Sequence, residues 1–237
     1  MNGLMLCNGS RTITRHELET IPTPRATPTW RPVPHSLVAD LAVSESQRRG
    51  WNIVSEDYGL GSGESKMFGV LRFSPNGRSD FTRALGIRNS HDKSLAVGLT
   101  AGISVQVCSN LAFSGEIVIH RRHTSGIELN GLVGNVFDKL EESFIRLERN
   151  ADGLKMRAIS IDDARRIIVV AAEMKAVPSC DILTVLDEFR NPRHEEFKER
   201  TRWSLLNAFT EIAKKYSPPR FDLCQRKLSE LFQLDRA

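Results

Sequence analysis

The sequence is poor in cysteine and has no long apolar run. Its 237 residues include four cysteines, and no two of them form a Cys-x-x-Cys pair. This spacing argues against a disulfide framework, and no secretory apolar region precedes the cysteines. No run of about 18 apolar residues exists, which excludes a transmembrane helix. We therefore expect a cytoplasmic protein with reduced thiols and no membrane partner.

Aromatic residues and net charge are also scarce. Aromatic residues make up 7% of the chain, and the formal net charge is +4. A charge this small allows an affinity for phosphate-rich partners without requiring it. A single-strand platform needs exposed rings beside basic residues, and Trp30 next to Arg31 is the one visible candidate. Arginine supplies 24 of the 33 cations, which suits bidentate phosphate contact but is equally explained by a GC-rich genome.

Proline is concentrated near the N-terminus. Residues 1–35 contain five prolines, interleaved with Thr and Arg: Pro22, Pro24, Pro28, Pro32 and Pro34. Proline fixes φ and disfavours helix in the residue before it. The sequence therefore predicts an extended N-terminal arm over residues 1–35, lying along or away from a single domain over residues 36–237.

Residues 36–130 have the pattern of a strand-rich half. After a short helix that ends near Gly50, about five segments alternate or read as strands: 51–58, 67–73, 81–88, 103–107 and 117–122. The connections are short and lack a crossover helix, which favours an antiparallel meander. The Gly-rich segment 59–66 lacks the spacing of a phosphate-binding loop and precedes a strand, so we interpret it as a hairpin loop.

Residues 131–237 have the period of helices. About five helices are expected, and the fold class is α+β, with the meander packed against this helical set. The segment 167–172 is apolar nearly all round, which predicts that its helix lies at the centre of the helical half.

A polar loop follows the predicted strand 81–88. Arg88 and Lys93 could hold an anion, with Asn89, Ser90 and His91 orienting it and with Asp92 beside them; Asn110 is a further polar residue at a strand end. The alternative is a structural loop, because Asn, Ser and Asp side chains close local turns. Adjacent Ser, His and Asp residues do not form a catalytic triad, which requires a relay in space.

A second basic segment runs from His120 to His123. Arg121 and His123 share one face of a predicted strand and Arg122 points to the other, which favours phosphate recognition or a solvated strand end. His120 and His123 could bind a metal with Cys108. Their odd spacing sends the imidazoles to opposite faces of a strand, and no second ligand pair exists. We therefore predict no metal and no cofactor.

Several short segments, taken in order, resemble a known family. They are Pro32-Val33-Pro34-His35, Met67-Phe68-Gly69, Arg88 to Asp92, Val107 to Asn110, Arg122-His123-Thr124, and Trp203 to Glu211. Together they are similar to the phage- and plasmid-borne domain of unknown function family 932. The resemblance covers nearly the whole chain and implies one compact domain. The resemblance implies a function on nucleic acid or in mobile-element defence, and it identifies no catalytic residue. Asn207, Thr210 and Glu211 have no role in this interpretation.

Two function classes follow. The first is a nucleic-acid-binding accessory protein of a mobile element, including the single-strand annealing type, with DNA favoured over RNA. The second is a hydrolytic or nucleic-acid-processing enzyme that uses His91, Asp92, His120 or His123, which would have to converge in one pocket. Two further possibilities remain open. The protein could bind and block a host defence factor, and it could form a homo-oligomer.

Overall fold

The computed structural model describes residues 11–74, 80–105, 110–114 and 129–234. The strands are β1 (Arg11–Ile13), β2 (Ile53–Leu60), β3 (Lys66–Phe73), β4 (Phe81–Ser90), β5 (Gly98–Val105) and β6 (Leu111–Phe113). The helices are α1 (His35–Arg48), α2 (Leu129–Lys155), α3 (Ile161–Glu173), α4 (Ile182–Arg190), α5 (Arg202–Ala213) and α6 (Pro218–Phe232).

The described strands form one antiparallel sheet in the order β1-β2-β3-β4-β5-β6. The predicted α+β meander is confirmed, with six described strands where about five were expected. A hairpin joins β2 and β3, as predicted, but its loop is shorter than the predicted segment 59–66: Gly59 and Leu60 pair within the sheet, and only residues 61–65 connect the two strands. The predicted strand 117–122 lies outside the described residues. Five helices, α2 to α6, follow the sheet in the described chain, as expected.

One face of the sheet packs against α1 and α2. Leu85 and Ile87 of β4 lie on this face, in an apolar cluster with Val38 of α1 and Phe137 of α2. Because successive residues of a strand point to opposite faces, Arg88 points to the other face, where α6 packs. The end of β4 is therefore enclosed from both sides.

Two glycines make room for an aromatic ring on the α6 side of the sheet. Phe113 of β6 lies over Gly86 and Gly102. A Cβ atom at Gly102 would come within 2.3 Å of the Phe113 ring, and one at Gly86 within 2.9 Å. The ring also meets Phe221 of α6 edge-on, at a centroid distance of 6.4 Å. The absence of side chains at these positions lets β6 approach the sheet closely.

The N-terminal arm lies along the sheet over its described part. β1 pairs with β2, and the arm buries Ile13, Leu18, Ile21 and Val33. Residues 22–29 between these anchors are exposed. The arm thus covers one edge of the sheet and presents a proline-rich segment to solvent.

The prediction of a central helix over 167–172 was wrong. In α3, Ile168 and Ala171 are buried, but Val169 is 47% and Val170 40% exposed. The main neighbours of α3 among the helices are α4 and α6, whereas α5 contacts α2, α4 and α6 and is buried along nearly its whole length. An apolar run shows that a helix can be buried, but the number of neighbouring elements decides how much of it is covered. Among the described residues, no helix is long and apolar enough to cross a membrane.

Candidate nucleic-acid interface

Arg88 lies in an internal ion pair. Its side chain points from β4 toward α6, where Nη1 donates to the Asp222 carboxylate at 2.9 Å. Arg226 pairs with the same carboxylate at 3.2 Å. Burial lowers the pKa of Arg88, and Asp222 acts against that shift. With 8% of the residue exposed, Arg88 joins the sheet to α6.

Asn89 and His91 fasten the arm to the end of β4. The Asn89 amide donates to the Val33 carbonyl at 2.8 Å and to Nδ1 of His35 at 2.9 Å. Nε2 of His91 contacts the same carbonyl at 2.9 Å. The His91 and His35 rings stack at 3.8 Å, with planes 7° apart. Burial lowers the pKa of His91, which disfavours the protonated form of the stacked ring.

Ser90 and Asp92 close the loop after β4. The Ser90 hydroxyl donates to the Leu95 carbonyl at 2.9 Å and accepts from the Leu95 amide at 3.0 Å. The Asp92 carboxylate accepts from Ser94 and pairs with Lys66 at 3.3 Å. Partial burial opposes ionisation of Asp92, but the Ser94 and Lys66 contacts outweigh it and lower the pKa to about 2. These contacts match the turn-closing interpretation of the loop.

Asn110 connects the sheet to α5. It is 2% exposed, and its amide donates to the backbone and side-chain oxygens of Asn207 at 3.3 and 3.2 Å. Both residues line a shallow cleft together with Glu188 and Glu211. Arg193 bridges these two carboxylates, with both distances 3.1 Å. Two of the segments that carry the family resemblance therefore meet at this cleft.

Lys93 is the cation of the polar loop that reaches the surface. It has a left-handed backbone with φ of 65°, and its ammonium lies 4.9 Å from the centroid of the Trp30 ring. Trp30 closes a tight turn of the arm, in which the Thr27 amide donates to the Trp30 carbonyl at 2.8 Å. Arg31 follows and is exposed. We call Trp30, Arg31 and Lys93 the Trp30–Lys93 corner.

The corner combines two predictions made separately from the sequence. Trp30 beside Arg31 was the candidate stacking platform, and Lys93 was a candidate anion contact 63 positions farther along the chain. The contact between Trp30 and Lys93 could not be read from either segment. It depends on Asn89 and His91, which hold the end of the arm against the strand that precedes Lys93.

The other predicted site residues lie outside the described part of the chain. Arg121, Arg122 and His123 belong to this group, as do Cys108 and His120, so their roles stay predictions. Within the described residues, no three His, Cys, Asp or Glu side chains form a group able to hold a metal ion. His91 and Asp92 have different partners, the Val33 carbonyl for His91 and Ser94 for Asp92. They do not form a hydrogen-bonded acid–base pair.

The family comparison covers most of the chain. The profile described as "Domain of unknown function (DUF932)" matches residues 29–232. The chain belongs to the DUF932 family. No curated protein and no solved structure gives a significant match. The DUF932 region begins one residue before Trp30 and includes Lys93, so the whole Trp30–Lys93 corner lies within the family domain.

Proposed function

We propose that this DUF932 protein is a nucleic-acid-binding accessory protein of a phage, plasmid or integrated element. In this proposal the Trp30–Lys93 corner holds single-stranded nucleic acid, with DNA preferred over RNA. The observation that carries the proposal is the position of the Lys93 ammonium over the Trp30 indole, with Arg31 adjacent in the chain.

The chemistry of the corner suits a nucleotide. A phosphate can accept from Lys93 while the attached base packs against Trp30, and Arg31 supplies a second charge for the backbone. Stacking of a base on an aromatic side chain contributes about 1–3 kcal/mol and tolerates any sequence, since every base has a π face. The corner would therefore bind single strands with little sequence preference.

Arg31 and Lys93 also differ from most other cationic residues of the described chain, which pair with carboxylates. Arg83 pairs with Glu141 and Glu148 of α2, and Arg88 pairs with Asp222. Among the described residues, no carboxylate lies within ion-pair distance of Arg31 or Lys93. The carboxylate next to Lys93 in the sequence, Asp92, is already engaged by Ser94 and Lys66. A phosphate at Lys93 thus displaces no existing ion pair.

Titration of the full-length protein with a single-stranded oligonucleotide of about 16 nucleotides tests the proposal. We expect Trp30→Ala to weaken binding by about 5- to 150-fold, the equivalent of about 1–3 kcal/mol, and Trp30→Phe to keep part of the stacking. Lys93→Gln should also weaken binding. Lys227→Gln removes the same charge from α6, where Lys227 pairs with Glu230, and should leave affinity unchanged.

Tryptophan fluorescence gives a second readout of the same site. The chain has three tryptophans, of which Trp51 packs against Phe73 and Phe137 and Trp203 is 7% exposed. Stacking should quench Trp30, and Trp30→Phe should abolish the quenching while the other two signals persist. Equal affinity of the wild type, Trp30→Ala and Lys93→Gln would contradict the proposal. DNA and RNA of one sequence, titrated in parallel, test the preference.

A further inference from the structure

Three arginines meet where α2 ends and α5 begins. Arg157 follows α2, Arg202 is the first residue of α5, and Arg200 lies two positions earlier. The two segments form a short antiparallel bridge. The Arg202 amide donates to the Arg157 carbonyl at 2.8 Å, and the Ile159 amide donates to the Arg200 carbonyl at 2.9 Å. We call Arg157, Arg200 and Arg202 the arginine cluster.

The bridge puts two like charges side by side. Ala158 and Thr201 are the residues paired across the bridge, and Arg157 and Arg202 flank this pair, joined by the backbone hydrogen bond from the Arg202 amide to the Arg157 carbonyl. Burial lowers the pKa of Arg202, and the charge of Arg157 lowers it further. Among the described residues, no carboxylate pairs with any member of the cluster.

Arg202 also has a buried donor without a partner. Its guanidinium carbon lies 5.8 Å from the centroid of the Phe232 ring, and its Nε atom is buried with no hydrogen-bond partner within the described chain. Buried polar groups in folded proteins nearly always have a partner. The two acidic residues in the first turn of α3, Asp162 and Asp163, pair with other arginines of that helix.

We propose that the arginine cluster binds a phosphate-type oxyanion. Such an anion would accept from the Arg202 guanidinium and from Arg157, and it would relieve the repulsion between the two charges. The planar fork of arginine matches phosphate oxygens in a bidentate manner. The cluster also lies at the N-terminal end of α5, where the helix dipole favours a negative group. Arg157 and Arg200 are exposed, so a ligand reaches the site from solvent.

This site is separate from the Trp30–Lys93 corner. Lys155, at the end of α2, contacts Asp80 immediately before β4, whereas Lys93 follows the other end of that strand. β4 has ten residues, which span about 30 Å. The oxyanion could be a backbone phosphate of nucleic acid or a free phosphate, and the cluster recognises the same group in both. The inference does not depend on the corner binding nucleic acid.

The first arm of the test uses inorganic phosphate and the full-length protein. We expect phosphate to raise the melting temperature in a saturable manner above chloride at equal ionic strength, as binding to the folded state requires. The double variant Arg157→Gln with Arg200→Gln, which leaves the half-buried Arg202 in place, should lose most of that shift. The control is Arg165→Gln with Arg166→Gln, which removes the same charge from exposed, paired positions on α3 and should keep the shift.

The second arm separates the two sources of phosphate. If the cluster contacts a nucleic-acid backbone, the Arg157 and Arg200 double variant should reduce the slope of log affinity against log salt for a single-stranded oligonucleotide by up to about 1.4, or about 0.7 per contact. If the double variant loses the phosphate-induced rise in melting temperature but keeps the wild-type salt slope, the result supports the site with free phosphate as its ligand. No phosphate shift in the wild type and no slope difference from the control would overturn the proposal.

Discussion

Replacement of Gly102 by alanine tests the close packing of β6 on the sheet. The added methyl group would lie 2.3 and 2.6 Å from two carbons of the Phe113 ring and 3.1 Å from the Ala112 carbonyl oxygen. The ring cannot simply turn away, because Phe113 is 7% exposed and packs against Phe221. Overpacking of this kind costs about 1–3 kcal/mol. For a chain of this length, each 1 kcal/mol lowers the melting temperature by about 2–4 °C.

A second glycine provides the opposite expectation for the same chemical change. Gly153 lies in α2, and a Cβ atom there would meet nothing within 4 Å. Because glycine in a helix costs about 0.5–1 kcal/mol relative to alanine, Gly153→Ala should stabilise the protein by about that amount. Urea unfolding measures both variants. A Gly102→Ala protein as stable as the wild type would refute the reasoning, and adding Phe113→Leu should recover part of the loss.

Two further predictions concern a buried histidine and the thiols. Burial lowers the pKa of His91 below its unfolded value of about 6.5. The unfolded chain therefore takes up a proton at a higher pH than the folded protein does, and stability is lost as the pH falls below about 6.5. His91→Gln should reduce this loss in urea unfolding between about pH 7 and about pH 5. Equal pH dependence of the two proteins would contradict the assignment. Cys180 is exposed and Cys224 is buried, with a pKa that burial raises to about 12. Alkylation followed by peptide mapping should therefore label Cys180 in the native protein and Cys224 only after unfolding, and rapid native labelling of Cys224 would contradict its burial.

The sequence patterns predicted the main sheet and the helical half because both depend on local periodicity. Period-two alternation and turn residues place β2, β3 and β4 within about two residues of their observed ends, whereas β5 begins at Gly98, five residues before its predicted start. β1 and β6 were missed because each has three residues, which is too short for alternation to show. The prediction that α3 lies at the centre of the helical half was wrong, because the number of elements that cover a helix is a property of the assembled fold.

The residues of the candidate site could be predicted from the sequence, but their contacts could not. Arg88 looked available because its partner, Asp222, lies 134 positions away. Asn89 looked like a loop residue because the Val33 carbonyl is 56 positions away. The arginine cluster has no sequence signal beyond its charges, since Arg157 and Arg202 meet through a bridge between two distant segments. Each of these contacts is long-range, and local patterns contain no information on it.

The salt dependence of single-strand binding tests the central claim most directly. Wild-type affinity should fall steeply between about 50 and about 200 mM salt, because phosphate contacts release counterions. Lys93→Gln should reduce the slope of log affinity against log salt by about 0.7, the value for one lost contact to a single strand, whereas Lys227→Gln should leave it unchanged. Absence of binding at both salt concentrations would contradict the account, and so would a slope that Lys93→Gln does not alter.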